Sequence, residues 1–403
     1  MFLLKLGSRR QLDFELGDEG TQVLGNLNQL AGTTQETLPV HQTLEHFLSH
    51  VDCAAWAELR AKMVQRLIRM KALDDGRLQG YLVVAIDATG WLSFDYPHCP
   101  LCLTQKQGDH TTYFHLVLEA KLLGPAGLAI SLGTEFIEQQ PDPKLPADER
   151  KQDCELKALA RFAPSLKQDF PQTPFCLTGD ALYSCGTAIQ IAKDHGWQYC
   201  FTFKPGRLPT AWDEFQRLLP LAPENARQVI TPEGATQAYR WINQLPHQDT
   251  QQRTHYVNAI QCLETRDGKT TTFAWATSFS ITADNVARLA QKGGRDRWHI
   301  ENQGFNLQKN SEFNLGHAYS RSPKTLKAYY YLLQIAHLIL QFVEQGSPLR
   351  RLAQSFGQEP RQLFGSLKNI PRLLRDCFRY RLLPPPVFDL ATAAGIQIRL
   401  NSS

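Results

Sequence analysis

The stretch YLVVAIDATG, residues 81–90, sets how the rest of the chain is read. Leu82 to Ile86 is an unbroken apolar, partly β-branched run, the pattern of a short strand buried on both faces of a sheet. It reaches Asp87 and then Ala-Thr-Gly, which reads as a polar loop closing the strand. A carboxylate leaving a buried apolar strand is costly unless it is hydrogen-bonded, paired or bound to a cation. A turn cap is the plainer role, because Asp-x-Thr-Gly is good turn chemistry.

A second strand repeats the device. PFCLTGDALYS, residues 174–184, ends its apolar run near Asp180. A third carboxylate stands in RDRWHIENQGFNLQKN, residues 295–310, where Arg297 and Glu301 are one helical turn apart and point the same way. Trp298, Ile300, Phe305 and Leu307 of that segment read as packing residues. An Arg-x3-Glu pair alone is most often solvated decoration. Three carboxylates from separate elements suit a pair of hard cations held with water and a substrate phosphate, which can promote in-line displacement at phosphorus.

Around these anchors the chain reads as follows. Residues 1–78 are a helical N-terminal region and a candidate for DNA binding; its last helix carries Arg60, Lys62, Arg66, Arg69 and Lys71 beside an apolar stripe. After the strand at 81–90, strands are predicted over 111–123 and 128–137, a helix from about Asp148 to Gln168, the strand at 174–184, a helix over 186–195 and a strand over 198–204. Three strand-like runs fill 237–279, with RDGKT as a hairpin turn. Helix then returns through 295–310 and 325–346. Residues 346–386 are basic and helical, with seven Arg and Lys368 against Glu359 and Asp376. Hairpin-connected strands followed by βαβ units define an α/β fold with a mixed sheet flanked by helices. The organisation is residues 79–219 as the first part of the core, 220–283 as a β-rich insertion, 284–345 as core helices and 346–403 as a basic C-terminal region.

At 403 residues the chain is too long for one small core. No run of about 18 apolar residues is present, which excludes a membrane-spanning helix, and the N-terminus reads without a signal peptide. Nine cysteines without framework spacing suit a reducing compartment. A formal net charge of +4 adds only weak support for an anionic partner.

With AIDATG, HCPLCLTQKQGDHTTYFH, KQDCE, GDALYS and RWHIENQGFN, the chain from about residue 80 to 340 resembles the DDE transposases of bacterial insertion sequences, in the group with a β-rich insertion before the catalytic glutamate. The resemblance implies an RNase H-like core, with Asp87, Asp180 and Glu301 as catalytic carboxylates holding two Mg2+ ions (Mn2+ as a substitute) and Arg297 beside Glu301. It implies an enzyme that cuts DNA at element ends and joins them to target DNA. The partners are terminal inverted repeats and target DNA, the synaptic complex is a homodimer, and the setting is cytoplasmic and nucleoid-associated. Members often carry a tyrosine three residues before the arginine and a lysine seven after the glutamate; here Gly294 and Gln308 stand there, with Lys309 one residue late. A non-catalytic DNA-binding derivative and a nuclease that does not join strands stay open as alternatives.

Other features carry two readings each. Cys99, Cys102 and His115 offer three zinc-type ligands, with His98 or Cys185 as a fourth, against reduced thiols in a turn. Lys204, Arg207 and Lys309 are candidate DNA-phosphate contacts, against solvated loop residues. Trp241 and Trp275 read as core before they read as DNA contacts, and Asp153 and Glu155 as surface acids at a helix start.

Overall fold

The computed structural model describes residues 1–17, 21–139, 152–311, 313–365 and 369–384, so the expected start of a helix at Asp148, and Lys368, lie outside the described residues. The chain forms two compact units, one of Leu73–Gly90 with His115–Gly304, the other of Met1–Ala72, Trp91–Phe114 and Phe305–Ser403.

The strands are β1 (Leu82–Phe94), β2 (Leu103–Gln107), β3 (His110–Leu123), β4 (Ala129–Ile137), β5 (Phe175–Gly179), β6 (Gln198–Thr202), β7 (Ala226–Ile230), β8 (Thr236–Gln248), β9 (Thr254–Arg266) and β10 (Lys269–Thr277). In the first unit they lie in the order β4-β3-β1-β5-β6-β10-β9-β8-β7. β1, β5 and β6 run parallel, with the helix Gly186–Asp194 crossing from β5 to β6, while β6 to β10 and on through β7 is antiparallel. The protein is therefore a mixed α/β fold with a large mixed sheet flanked by helices. Leu82 to Ile86 and Phe175 to Leu177 are fully buried, as the central position of β1 and β5 requires. The helix Glu155–Asp169 packs on β4, where Gly133 leaves room for the Phe162 ring: a Cβ there would lie 2.3 Å from it.

Three local readings change. β1 does not end at Asp87 but continues to Phe94, because Trp91 and Leu92 are themselves buried core residues. β2 and β7 escape the hydrophobic pattern because nearly all their residues are exposed. The helix expected over 295–310 is instead a 3-10 turn at Arg295–Arg297, a π-helical stretch at Ile300–Asn306 and a short α-helix at Leu307–Asn310. The RDGKT hairpin forms as expected: Arg266 pairs with Lys269, and Asp267 and Gly268 take the left-handed φ values, 49° and 74°, of a two-residue turn.

Asp249 ties the β8–β9 connection. It accepts from His255 Nε2 at 2.9 Å, from the Arg253 guanidinium at 2.7 Å and from the Arg253 and Gln251 amides. The His255 hydrogen bond, then the Arg253 contacts, hold its carboxyl well below the ordinary range. A depressed folded-state pKa stabilises the fold above the unfolded value of about 3.9 and is lost as pH falls through the folded one. Asp249→Asn is thus expected to lower the urea midpoint at pH 7, with a smaller gap to the parent at pH 3, where the loss has begun but is not complete. An equal gap at both pH values would contradict this.

In the other unit, β2 pairs antiparallel with the start of β3, Leu103 with Phe114 and Gln107 with His110. The helix Pro323–Gln345 is buried along most of its length and packs on the helix Cys53–Arg69. Arg60 does not belong to a solvated basic face: it is buried, with its guanidinium 5.1 Å from the Tyr331 ring centroid. Lys62, Arg66, Arg69 and Lys71 are exposed. Among the described residues the basic C-terminal stretch holds the helices Ser347–Ser355, Pro360–Phe364 and Ile370–Tyr380, and Arg375 and Arg379 are paired to Glu15. No described helix is long and apolar enough to cross a membrane.

Candidate active site

Strand register builds the centre of the site. β1 and β5 pair in parallel with Ala85 beside Thr178, and two residues further along each chain stand Asp87 and Asp180. The period of two along a strand sends both side chains to the same face. Asp180 Oδ1 accepts from the Leu182 amide at 2.8 Å and Asp87 Oδ1 from the Ala88 amide at 3.0 Å, so each aspartate also serves the backbone that follows it.

Glu301 joins them from the π-helical stretch. Arg297 Nη1 donates to Glu301 Oε1 at 2.6 Å and stands 3.7 Å from Asp87 Oδ2. The expected one-turn pair therefore forms, and its arginine also reaches the first aspartate. Asp87, Asp180, Glu301 and Arg297 line one cavity of about 410 Å³, together with Lys204, Arg295, Trp275 and Trp298, all within one unit. Irregular helical turns of this kind are frequent at functional sites.

The electrostatics are strained for an anion. Burial pushes Asp87 up to about 7; Arg297 opposes this, while Glu301, Glu155 and Asp180 add to it. A donor set of three carboxylates, one of them costly to ionise, fits hard divalent cations. Among the described residues the three do not all bring oxygens within 4.8 Å of one another, and Arg297 stands between Asp87 and Glu301. The cavity also carries three cationic side chains, Lys204, Arg295 and Arg297, which suits a bound phosphate.

Several of these residues carry no signal of the site in the sequence. Arg295 lines the cavity with its guanidinium 4.5 Å from the Phe273 ring centroid and a 3.0 Å bond to Glu264. On a regular helix, residues two apart diverge, which would have separated Arg295 from Arg297; the 3-10 turn brings both to the cavity. Trp298 is not a packing residue: it is 53% exposed on the cavity lining, with Arg297 5.2 Å from its ring centroid. Leu307 is likewise exposed, whereas Ile300 and Phe305 are buried as expected. Glu155 is not a surface acid: it accepts from the buried Tyr183 hydroxyl at 3.0 Å, and burial raises its own pKa. Asp153 is not one either, since its buried carboxylate pairs with Arg161 at 2.6 Å.

Gly294 and Gln308, the two departures from the transposase pattern, have physical reasons. A Cβ at Gly294 would sit 2.3 Å from Trp275 Nε1, so the buried indole already fills the space a larger side chain would need. Gly294→Ala is expected to cost about 1–3 kcal/mol by overpacking; a urea midpoint unchanged from the parent would contradict it. Gln308 lies in the other unit and is fully buried, exchanging amide bonds with Gln334 at 2.9 and 3.2 Å and donating to His337 Nδ1 at 2.9 Å. It is a core polar residue. Lys309 beside it is exposed, and Arg207, half-buried, does not line the cavity. Trp241 is core. Of the zinc-type ligands, Cys99 and Cys102 lie in one unit, and His115 and Cys185 in the other.

No protein-family model matches the chain, and no curated protein matches it.

Proposed function

We propose that the protein is a metal-dependent DDE transposase that cuts DNA at the ends of its element and joins those ends to target DNA. One observation carries the reading: Asp87, Asp180 and Glu301, drawn from β1, the end of β5 and a later helical segment, line a single cavity with Arg297 between two of them. The order β4-β3-β1-β5-β6, with β1, β5 and β6 parallel, supports an RNase H-like reading of the core, and the antiparallel strands β7 to β10 before Glu301 support reading that segment as a β-rich insertion.

Asp87, Asp180 and Glu301 would hold two Mg2+ or Mn2+ ions. Such ions supply activation of the attacking oxygen and stabilisation of the leaving oxygen in phosphodiester cleavage and transfer. Arg297 fixes Glu301 by a charge-assisted bond and offsets the charge of Asp87. Lys204 and Arg295 offer cations to the phosphates of the DNA end, and the exposed Trp298 ring offers a stacking surface to an unpaired base. Terminal inverted repeats and target DNA are the substrates, and a homodimer would hold two ends together.

The test is strand transfer. Purified protein, Mg2+, DNA carrying the sequences that flank its gene and a target plasmid are expected to yield joined products. Cleavage without joining would support a nuclease, and binding without cleavage a DNA-binding derivative.

A further inference from the structure

We propose that His98, Cys99 and Cys102 form a zinc site that staples the connection between β1 and β2, separate from the carboxylate cavity. The sequence HCPLC places two thiols three residues apart, the spacing of one half of a zinc knuckle. The chain folds this spacing into a turn: the Cys102 amide donates to the Cys99 carbonyl at 3.3 Å, which brings both side chains to one side. The two Sγ atoms stand 3.9 Å apart. A disulfide would need about 2.05 Å, whereas two thiolates at about 2.3 Å from a tetrahedral ion stand about 3.8 Å apart. The observed separation is that of two ligands on one metal.

His98 brings the third donor. A ring nitrogen of His98 lies within 4.8 Å of Cys99 Sγ. Cys102 is placed by its 3.9 Å approach to Cys99 Sγ, so that a bound ion would draw the His98 ring and the Cys102 thiolate onto one centre. The His98 ring stacks on Phe94, the last residue of β1, with centroids 4.4 Å apart and planes 8° from parallel, which fixes its orientation. Cys102 is buried and directly precedes Leu103, the first residue of β2. An ion on these three side chains would thus tie the last residue of β1 to the first of β2, across a connection with no regular structure of its own. Binding releases the two thiol protons to solvent, and a water or a further side chain completes a tetrahedral shell. Thiolate and imidazole donors favour zinc over the hard cations expected at Asp87, Asp180 and Glu301.

Cobalt substitution reads the site directly. The full-length protein, stripped of metal under reducing conditions and titrated with Co2+, is expected to show thiolate-to-cobalt charge transfer and the visible bands of a tetrahedral ion. Both should saturate at one equivalent and be displaced by Zn2+. Cys99→Ser/Cys102→Ser should lose both, whereas Asp87→Ala should keep them, so failure of the carboxylate site and failure of the zinc site are told apart. Absence of these bands in the parent, whose folding does not depend on a substitution, would overturn the proposal. Bands of equal intensity in the double variant would also overturn it.

Discussion

Asp87→Ala is expected to lower Mg2+-dependent DNA cleavage by on the order of 10³-fold, the scale on which preorganised electrostatic stabilisation acts in a closed site. Asp87 occupies the middle of the constellation, beside Asp180 by strand register and within 3.7 Å of the arginine that grips Glu301. Its loss would remove a proposed metal ligand and leave Arg297 to pair with Glu301 alone. The fold should not suffer in proportion. Burial and the neighbouring carboxylates raise Asp87 to about 7, so its contribution to the stability of the metal-free protein is lost as pH rises through that value. At pH 8 the metal-free variant is therefore expected to be at least as stable as the parent, while Mn2+ binding without DNA is weakened. Cleavage within tenfold of the parent, or a large drop in metal-free stability at pH 8, would contradict this.

Lys121→Ala is expected to destabilise the unit that holds the cavity by about 3–5 kcal/mol, the cost of leaving a buried charge without its partner. Lys121 and Glu119 are completely buried on β3, with Nζ 3.4 Å from Oε2. Ser131 donates to the same carboxylate at 2.7 Å, and Thr134 donates to its other oxygen. The lysine stem also supports the segment that carries Glu301, because a Cβ at Gly304 would lie 3.0 Å from Lys121 Cδ. Truncation therefore opens a space beside Gly304, in the segment that carries Glu301, as well as stranding Glu119. Replacing both charges together, Glu119→Leu with Lys121→Met, should restore much of the stability, since a well-packed apolar pair can match a buried ion pair. Urea unfolding of both variants checks this; Lys121→Ala within about 1 kcal/mol of the parent would contradict it, a difference typical of a surface pair.

The parts of the fold that were legible in the sequence are those where burial writes a pattern. β1 and β5 are central and buried, so their apolar runs identify them, and the aspartates that end those runs stand out because an apolar strand gives them no other reason to be there. The Arg297–Glu301 pair was legible because four residues make one turn on any nearly regular helix. Edge strands write no such pattern: β2 presents Thr104 to Gln107 to solvent, and β7 exposes Ala226 to Gln228. The cavity walls were hidden for a different reason. Arg295 reaches the cavity because the helix tightens locally, and Trp275 arrives from β10 to fill the space above Gly294. Such long-range placement has no signature in spacing. Glu155 falls in the same class, since the buried Tyr183 hydroxyl and charge repulsion with Asp87 and Asp180 tie it to the cluster across the fold.

The central claim is that Asp87, Asp180 and Glu301 act together on a phosphodiester with divalent metal. The most direct measurement is single-turnover nicking of end-labelled DNA from the flanks of the gene, with Mg2+, comparing the parent with the near-isosteric Asp180→Asn and Glu301→Gln. Metal-dependent nicking by the parent and losses on the order of 10³-fold in both variants, without loss of fold, are expected. Nicking that persists in either variant, or that proceeds equally well in a chelator, would contradict it.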